Sequence, residues 1–168
     1  MPITPFHFGL GGLITAASRA HVSFLAFCAS NLVIDVESVY NIVMRQPRIH
    51  TFLHTYIGAS LAAAFVVVAF FPARSLAKRV PPSPRMTWQF LPIRAVVLGA
   101  VLGGWTHVLL DSVMHGDITP FAPFSNANTL HGVISLVALH VSCAIAGAVG
   151  LLWWFLRSNT SPEHSNEK

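Results

Sequence analysis

Charged side chains are scarce in this chain of 168 residues. Lys and Arg number 10 and Asp and Glu number 6, so 10% of the residues are charged, whereas 54% are hydrophobic and the mean hydropathy is +0.62. In soluble globular domains about a quarter of all residues are charged. The scarcity of charge here therefore excludes a soluble globular domain and predicts an integral membrane protein. Cysteine is also rare. Cys28 and Cys143 lie in separate apolar stretches, which excludes a disulfide framework and a Cys-rich zinc site.

Four long apolar stretches are present. They are Phe6 to Ile34, Tyr56 to Phe71, Ala95 to Met114 and Val133 to Leu156. A helix needs about 20 apolar residues to span a bilayer, so the last stretch is long enough, the third nearly so, and the second needs its flanks. We predict an all-α, polytopic integral membrane bundle of about four to five helices. Residues 1–157 form one membrane-embedded domain, and residues 158–168 form a polar, disordered tail.

The first stretch is interrupted by Arg19 and His21. This interruption predicts a hairpin of two short or tilted helices rather than one long span. Because no basic residue precedes the first apolar run, we expect a retained N-terminus rather than a cleaved signal peptide.

Basic residues are concentrated between the second and third stretches. They are Arg74, Lys78, Arg79, Arg85 and Arg94. Positive residues favour the cytoplasmic side, so we predict a cytoplasmic loop here, kept extended and non-helical by the prolines from Pro72 to Pro92. Topology explains the basic run better than binding to anionic lipid headgroups does, and nucleic acid is not expected as a partner. The segments 35–54 and 115–131 then emerge together on the opposite, outer side.

Three potential metal ligands recur at four-residue spacing within and just after the third stretch. His107, Asp111 and His115 share one helix face, since two steps of four residues drift by only about 80°. Ionisable groups are costly in a membrane helix, so this stripe predicts a functional site, most simply a metal site. It continues into Gly99 and Gly103, and small residues let membrane helices approach closely. The stripe is therefore expected to face the bundle interior.

Other segments bring further candidates to the same predicted side. His50 and His54 have the spacing of a zinc-binding histidine pair on one helix face. The predicted hairpin brings His7 and Asp35 to this side. Glu37 is either a ligand or a solvated residue.

Imidazole and carboxylate ligands without thiolates suit a divalent metal in a hydrolytic site, with Zn²⁺ first and Mn²⁺ or Fe²⁺ as alternatives. The number of candidates allows one to three ions. Closely spaced ions would activate a water and neutralise charge on a phosphoryl or acyl oxygen. Arg45 and Arg48 are candidates to hold a substrate phosphate, or to pair with Glu37 or lipid headgroups. The aromatic and proline-containing loop 116–124 suits either a lid or an interfacial anchor.

The order of these residues resembles a known family. It runs through His7, Asp35 with a second acid two residues later, Arg48, the segment His50-Thr51-Phe52-Leu53-His54-Thr55, His107-x-x-x-Asp111 and Thr119-Pro120. Over residues 1–125 this order resembles the YdjM-like inner-membrane metal-dependent hydrolases of bacteria. That family is in turn similar in ligand order to zinc-dependent phospholipase C and the fungal single-strand nucleases, which are helical enzymes with a zinc cluster.

The resemblance implies a metal-dependent hydrolase of the bacterial inner membrane, acting on a phosphoester, with phospholipid as one candidate substrate. The metal ligands that it implies are His7, Asp35, His54, His107 and Asp111, followed by His50 and His115. This chain departs from the family in having Asp35-Val36-Glu37 where Asp-x-Asp is usual. Its altered segment 48–55 leaves open which of His50 and His54 takes the position of the family histidine.

Two catalytic candidates and two rival functions remain open at this point. Asp35 or Asp111 is a candidate general base, although Asp111 is better placed as a ligand because it shares the stripe of His107. The first rival is a non-catalytic metal or proton pathway that uses the same side chains, and the second is a structural or regulatory protein whose site has lost activity. A pathway needs polar groups from face to face, whereas an enzyme clusters them at one depth. Gly, Ala and Leu in the cytoplasmic halves of the polar stripes favour the enzyme.

Overall fold

The computed structural model describes residues 6–18, 21–79 and 88–158, and its regular structure within these ranges is entirely helical. The helices of the described ranges are α1 (Phe6–Ser18), α2 (Phe24–Val43), α3 (Tyr56–Ala77), α4 (Ile93–Met114) and α5 (Leu136–Ser158). Short 3₁₀ turns at Phe52–His54 and Trp88–Phe90 precede α3 and α4. The predicted all-α bundle is therefore confirmed. Arg19, Arg85 and the polar tail after Ser158 lie outside the described residues.

Four helices are long and apolar enough to cross a membrane, as expected for a membrane protein. They are Phe24–Val43, Tyr56–Ala77, Ile93–Met114 and Leu136–Arg157. The first apolar stretch forms two helices, α1 and α2, as the interruption at Arg19 and His21 predicted. At about 1.5 Å per residue, the 13 residues of α1 measure about 20 Å, which is less than the thickness of the hydrocarbon core.

Two helices extend further than the sequence indicated. α2 continues to Val43, so Asp35 lies about two turns inside a helix rather than in a segment that has left the membrane. α3 runs through Pro72 to Ala77 and includes Arg74, so the prediction of an extended, non-helical segment is wrong for this part of it. Proline is tolerated in membrane helices because neighbouring groups and local adjustments satisfy the carbonyl that it leaves unpaired.

Helix α4 lies at the centre of the bundle and packs against both α2 and α3, whereas α1 packs mainly against α5. Close approach of α2 and α4 depends on two glycines of α4. A Cβ atom at Gly99 would collide with the carbonyl of Ser23, and one at Gly103 would collide with the carbonyl of Phe27. Both glycines are buried. This confirms that the stripe of small and ionisable residues on α4 faces the bundle interior.

Helix α3 begins at Tyr56 because Thr55 caps it. Thr55 has an extended backbone, and its Oγ1 accepts a hydrogen bond of 2.9 Å from the N–H of Gly58. As a result His54 lies in the preceding 3₁₀ turn and His50 in the loop before that turn. The prediction that these two histidines share one face of an α-helix is therefore wrong.

Replacing Thr55 by Ala is expected to lower the free energy of unfolding by about 1 kcal/mol, because the N–H of Gly58 loses its capping oxygen. Thermal unfolding of the purified protein in detergent measures this change. Thr55→Ser keeps the hydroxyl oxygen and should stay close to the wild type. Equal stability of the Ala variant and the wild type would contradict the capping role.

Candidate metal centre

The candidate ligands converge at one end of the bundle. His7 comes from the first turn of α1, Asp35 from the second half of α2 and His54 from the turn before α3. His107 and Asp111 come from the last two turns of α4. All five are buried. Arg94 lies near the start of α4, about 25 Å from Asp111 along the helix, so the group of basic residues to which it belongs marks the opposite end.

The carboxylate of Asp111 lies among three imidazoles. Its Oδ1 is 3.1 Å from His7 Nε2, and its Oδ2 is 3.3 Å from His107 Nε2 and 3.6 Å from His54 Nε2. On the far side of His107, the Nε2 atom is 3.5 Å from Asp35 Oδ1. Ligand atoms of Asp35, His54 and His107 all lie within 4.8 Å of one another, a spacing that one metal ion could bridge.

A second group contains Asp111 and lies next to the first, because Asp111 Oδ2 is close to both His54 and His107. One ligand atom from each of His50, Asp111 and His115 lies within 4.8 Å of the other two. The ring of His50 stacks on that of His115 with a centroid separation of 4.4 Å, and its centroid is 4.7 Å from that of His54. The structure thus brings all seven predicted ligands into one cluster, with Asp111 in the middle.

The protonation of His107 can be read from its neighbour Asn31. The Asn31 side-chain amide donates hydrogen bonds to the carbonyls of Phe27 and Gly103, at 2.8 and 3.2 Å, which fixes its Oδ1 toward His107. His107 Nδ1 must therefore carry the proton and donates it to that oxygen at 2.9 Å. In the neutral ring, Nε2 then carries a lone pair, and this lone pair faces the carboxylates of Asp35 and Asp111. A proton shared between Nε2 and a carboxylate oxygen, or a metal ion, would stabilise this arrangement.

A buried carboxylate pair also requires compensation by positive charge. Asp35 and Asp111 are both buried within helices long enough to span a membrane, where uncompensated charge is costly. No Lys or Arg is buried in the part of the chain that the structure describes. When both carboxylates are ionised, the compensating charge therefore comes from the histidines or from a bound cation.

Sequence reasoning missed Asp117, which orients His50. The Nδ1–H of His50 donates to Asp117 Oδ1 at 2.9 Å, and its backbone N–H donates to Oδ2 at 3.3 Å. A carboxylate behind a histidine is the usual way in which proteins hold a metal-ligating imidazole in place. The only local sign of this role in the sequence was the position of an acidic residue two places after His115.

Glu37 also supports the cluster. Its Oε2 accepts hydrogen bonds from the backbone N–H groups of Leu53 and Thr51, at 2.8 and 3.3 Å, and lies 3.5 Å from His54 Nδ1. Glu37 is therefore a half-buried anchor of the turn that carries His54, which differs from the solvated residue considered from the sequence. Asn31 shares this supporting role, as a polar residue one turn before Asp35.

Titration of the second group favours neutral imidazoles. Burial lowers the pKa of His50, and the hydrogen bond to Asp117 offsets this only in part. Burial and then the neighbouring His50 lower the pKa of His115. Although burial raises the pKa of Asp117, its hydrogen bond with His50 holds that pKa below the usual value. Near neutral pH His50 and His115 therefore offer lone pairs, the form in which histidine binds metals.

The loop after His115 is docked on the bundle beside the site. Ile118 and Pro120 are buried, and the N–H of Tyr56 donates to the carbonyl of Pro120 at 2.9 Å. Phe121 and Phe124 are exposed on its outer side. These contacts fit an interfacial anchor better than a mobile lid. Arg45 and Arg48 are exposed in the connection after α2, at the same end of the bundle.

Comparisons of the chain with protein-family models, with curated proteins and with solved structures found no match. The resemblance to the YdjM-like hydrolases therefore rests on the order of residues alone and stays a prediction.

Asn31→Leu is expected to weaken metal binding by about 10- to 100-fold, because His107 loses the acceptor that fixes its ring and its tautomer. Chelator competition on the purified protein measures this affinity. Ser30→Ala is the matched control, since Ser30 is a buried neighbour on α2 whose hydroxyl has no hydrogen bond in the described structure. Comparable affinities in the two variants would show that Asn31 does not position His107.

Proposed function

We propose that this chain is a membrane-bound, metal-dependent hydrolase that cleaves a phosphoester. The observation that carries the proposal is the lone pair of His107 Nε2, which is buried, makes no well-aligned hydrogen bond and faces two carboxylates. A proton on His107 Nε2 would balance the negative charge of one neighbouring carboxylate, such as that of Asp111. The same cluster, however, presents five further ligands around Asp111, and only divalent ions would engage them together.

The donor set fits one to three divalent ions. We assign Asp35, His54 and His107 to one ion and His50 and His115 to a second, with Asp111 between them and His7 against its other oxygen. Imidazole and carboxylate donors suit Zn²⁺ best, with Mn²⁺ and Fe²⁺ as alternatives. Ions bound here would lower the pKa of water and neutralise charge on a phosphoryl oxygen.

The two buried aspartates have different roles in this proposal. Asp111 lies against three imidazoles through both of its oxygens, so it serves as a ligand and as the negative charge that balances the site. Asp35 faces the cluster through Oδ1 and also borders an open groove on α2. It is therefore the better candidate to accept the proton of the attacking water.

A metal or proton pathway is the less suitable alternative. A pathway needs polar groups along the length of the bundle. In the described residues the half with the basic end is closed by an apolar core, which consists of Ala26, Ala63, Val66, Phe70, Val96 and Ala100. The buried histidines and aspartates of the described residues are confined to the other end, as an enzyme requires.

The separation of the group of basic residues around Arg94 from the cluster also indicates on which side of the membrane the site lies. Basic residues favour the cytoplasmic side, so we assign the cluster to the outer face of a bacterial inner membrane. Reporter fusions after residues 80 and 125 test this topology. Cytoplasmic signal at 80 and external signal at 125 are expected, and a cytoplasmic signal at 125 would contradict the assignment.

Hydrolysis by purified protein tests the function itself. Detergent-solubilised protein is expected to hydrolyse phosphoesters, to lose activity on treatment with a chelator and to regain it with Zn²⁺ or Mn²⁺. His107→Ala should be inactive. His21→Ala is the matched control, because this exposed histidine lies at the opposite end of the bundle. Activity that survives both the chelator and His107→Ala would exclude this cluster as its source.

A further inference from the structure

We propose that the site receives its substrate sideways from the bilayer, through a groove on α2, and that the substrate is an amphiphile with a phosphoester head and a single hydrocarbon chain in that groove. This inference rests on the proposed function and specifies its substrate class. It is carried by the position of Asp35, which belongs to the cluster and also borders a groove whose other lining residues are exposed on α2.

The groove has a volume of about 230 Å³ and is lined by Leu32, Asp35, Val36 and Val39. These positions follow the spacing i, i+3, i+4 and i+7 and so form one stripe along the helix. Leu32 is 48% exposed, Val36 64% and Val39 38%. The three aliphatic side chains are therefore an open strip, and the buried Asp35 lies beneath it at the edge of the cluster.

What occupies the groove follows from its place in the membrane. Helix α2 is long and apolar enough to span the bilayer, so the surroundings of its exposed aliphatic side chains are hydrocarbon. Pockets for whole drug-sized ligands measure about 300–1,000 Å³, and this smaller groove suits one alkyl chain. A water-soluble phosphoester would gain nothing from such a surface.

The groove leads directly to the reacting groups. Asp35 borders it, and Asp35 Oδ1 is 3.5 Å from His107 Nε2. A chain that lies along Leu32, on the bilayer side of Asp35, therefore places its polar head beside the cluster. At the aqueous end, the docked loop with buried Ile118 and the stacked rings of His50 and His115 lie beside the cluster.

Binding of two phosphonates to the Mn²⁺-loaded protein tests this proposal without requiring turnover. Hexadecylphosphonate and methylphosphonate carry the same head and differ only in the chain. Phosphorus hyperfine coupling to the bound Mn²⁺ reports whether the head reaches the metal. The variant is Val36→Trp, which fills the groove. Its matched control is Val68→Trp on α3, where the valine is 66% exposed and lies outside this groove.

Wild type and Val68→Trp are expected to show coupling with both phosphonates. In Val36→Trp the affinity for hexadecylphosphonate should fall by at least about tenfold, with methylphosphonate and the Mn²⁺ content unchanged. Equal loss of both ligands, or no loss of either, would overturn lateral access. If Val36→Trp does not retain Mn²⁺, Leu32→Trp at the other end of the groove replaces it, with the same expected results.

The wild-type protein separates this inference from the proposed function. Coupling with methylphosphonate alone would overturn the amphiphilic substrate and leave the hydrolase intact. Bound Mn²⁺ that couples to neither phosphonate would overturn both the substrate class and the phosphoester chemistry. Absence of bound metal would overturn the hydrolase itself.

Discussion

Asp111→Asn is expected to weaken binding of divalent metal by at least about 100-fold, more than the loss of a supporting residue would. The substitution keeps the size of the side chain but removes the negative charge among the imidazoles of His7, His54 and His107. It also replaces one carboxylate oxygen, which can bind a metal ion or accept a hydrogen bond, by an amide NH₂ group, which can only donate. Chelator competition and isothermal titration on the purified protein measure the affinity.

Asp117→Asn is the control for this experiment, because it is the same substitution at a carboxylate that contacts only His50 among the candidate ligands. We expect a smaller loss, of about 10-fold, since the first group of ligands stays intact. Equal effects of the two substitutions would remove Asp111 from the centre of the site. Unchanged affinity in Asp111→Asn would show that the carboxylate is not a ligand.

Gly103→Ala is expected to lower the free energy of unfolding by about 2–3 kcal/mol. The added Cβ would collide with the backbone carbonyl of Phe27, which cannot move without shifting α2. Because α2 carries Asp35 and α4 carries His107, the same shift should weaken metal binding. Thermal unfolding in detergent, with and without Zn²⁺, measures both effects.

Gly12→Ala is the matched control, since a Cβ at this helical glycine meets nothing within 4 Å. Alanine is intrinsically more favourable than glycine in a helix by about 1 kcal/mol, so this variant should be as stable as the wild type or slightly more stable. Equal unfolding free energies of Gly103→Ala and Gly12→Ala would show that Gly103 is not needed for the close packing of α2 against α4.

Much of the fold follows from local patterns in the sequence. Length and apolarity identify the spans, and the interruption at Arg19 and His21 separates α1 from α2. The four-residue spacing from Gly99 to Asp111 identifies the inward face of α4, because the helical period determines which side chains share a face. Such signals are readable because each depends on residues within a few turns of one another.

The details of the site depend on contacts between distant segments. His50 is held by Asp117, 67 residues later in the chain, and Asn31 orients His107 from another helix, 76 residues away. The spacing of His50 and His54 predicted that they share one face of an α-helix. Thr55 caps α3, however, so this helix begins only after both histidines. Spacing in the sequence therefore identified the candidate ligands, whereas only the fold reveals the side chains that orient them.

Metal content of the protein purified without chelators tests the central claim most directly. Elemental analysis of the wild type should find stoichiometric divalent metal, with about two ions per chain. His107→Ala and Asp111→Ala should lose it, and His21→Ala should retain it. A folded wild-type protein that contains no stoichiometric metal, and takes up none when Zn²⁺, Mn²⁺ or Fe²⁺ is added, would contradict the account.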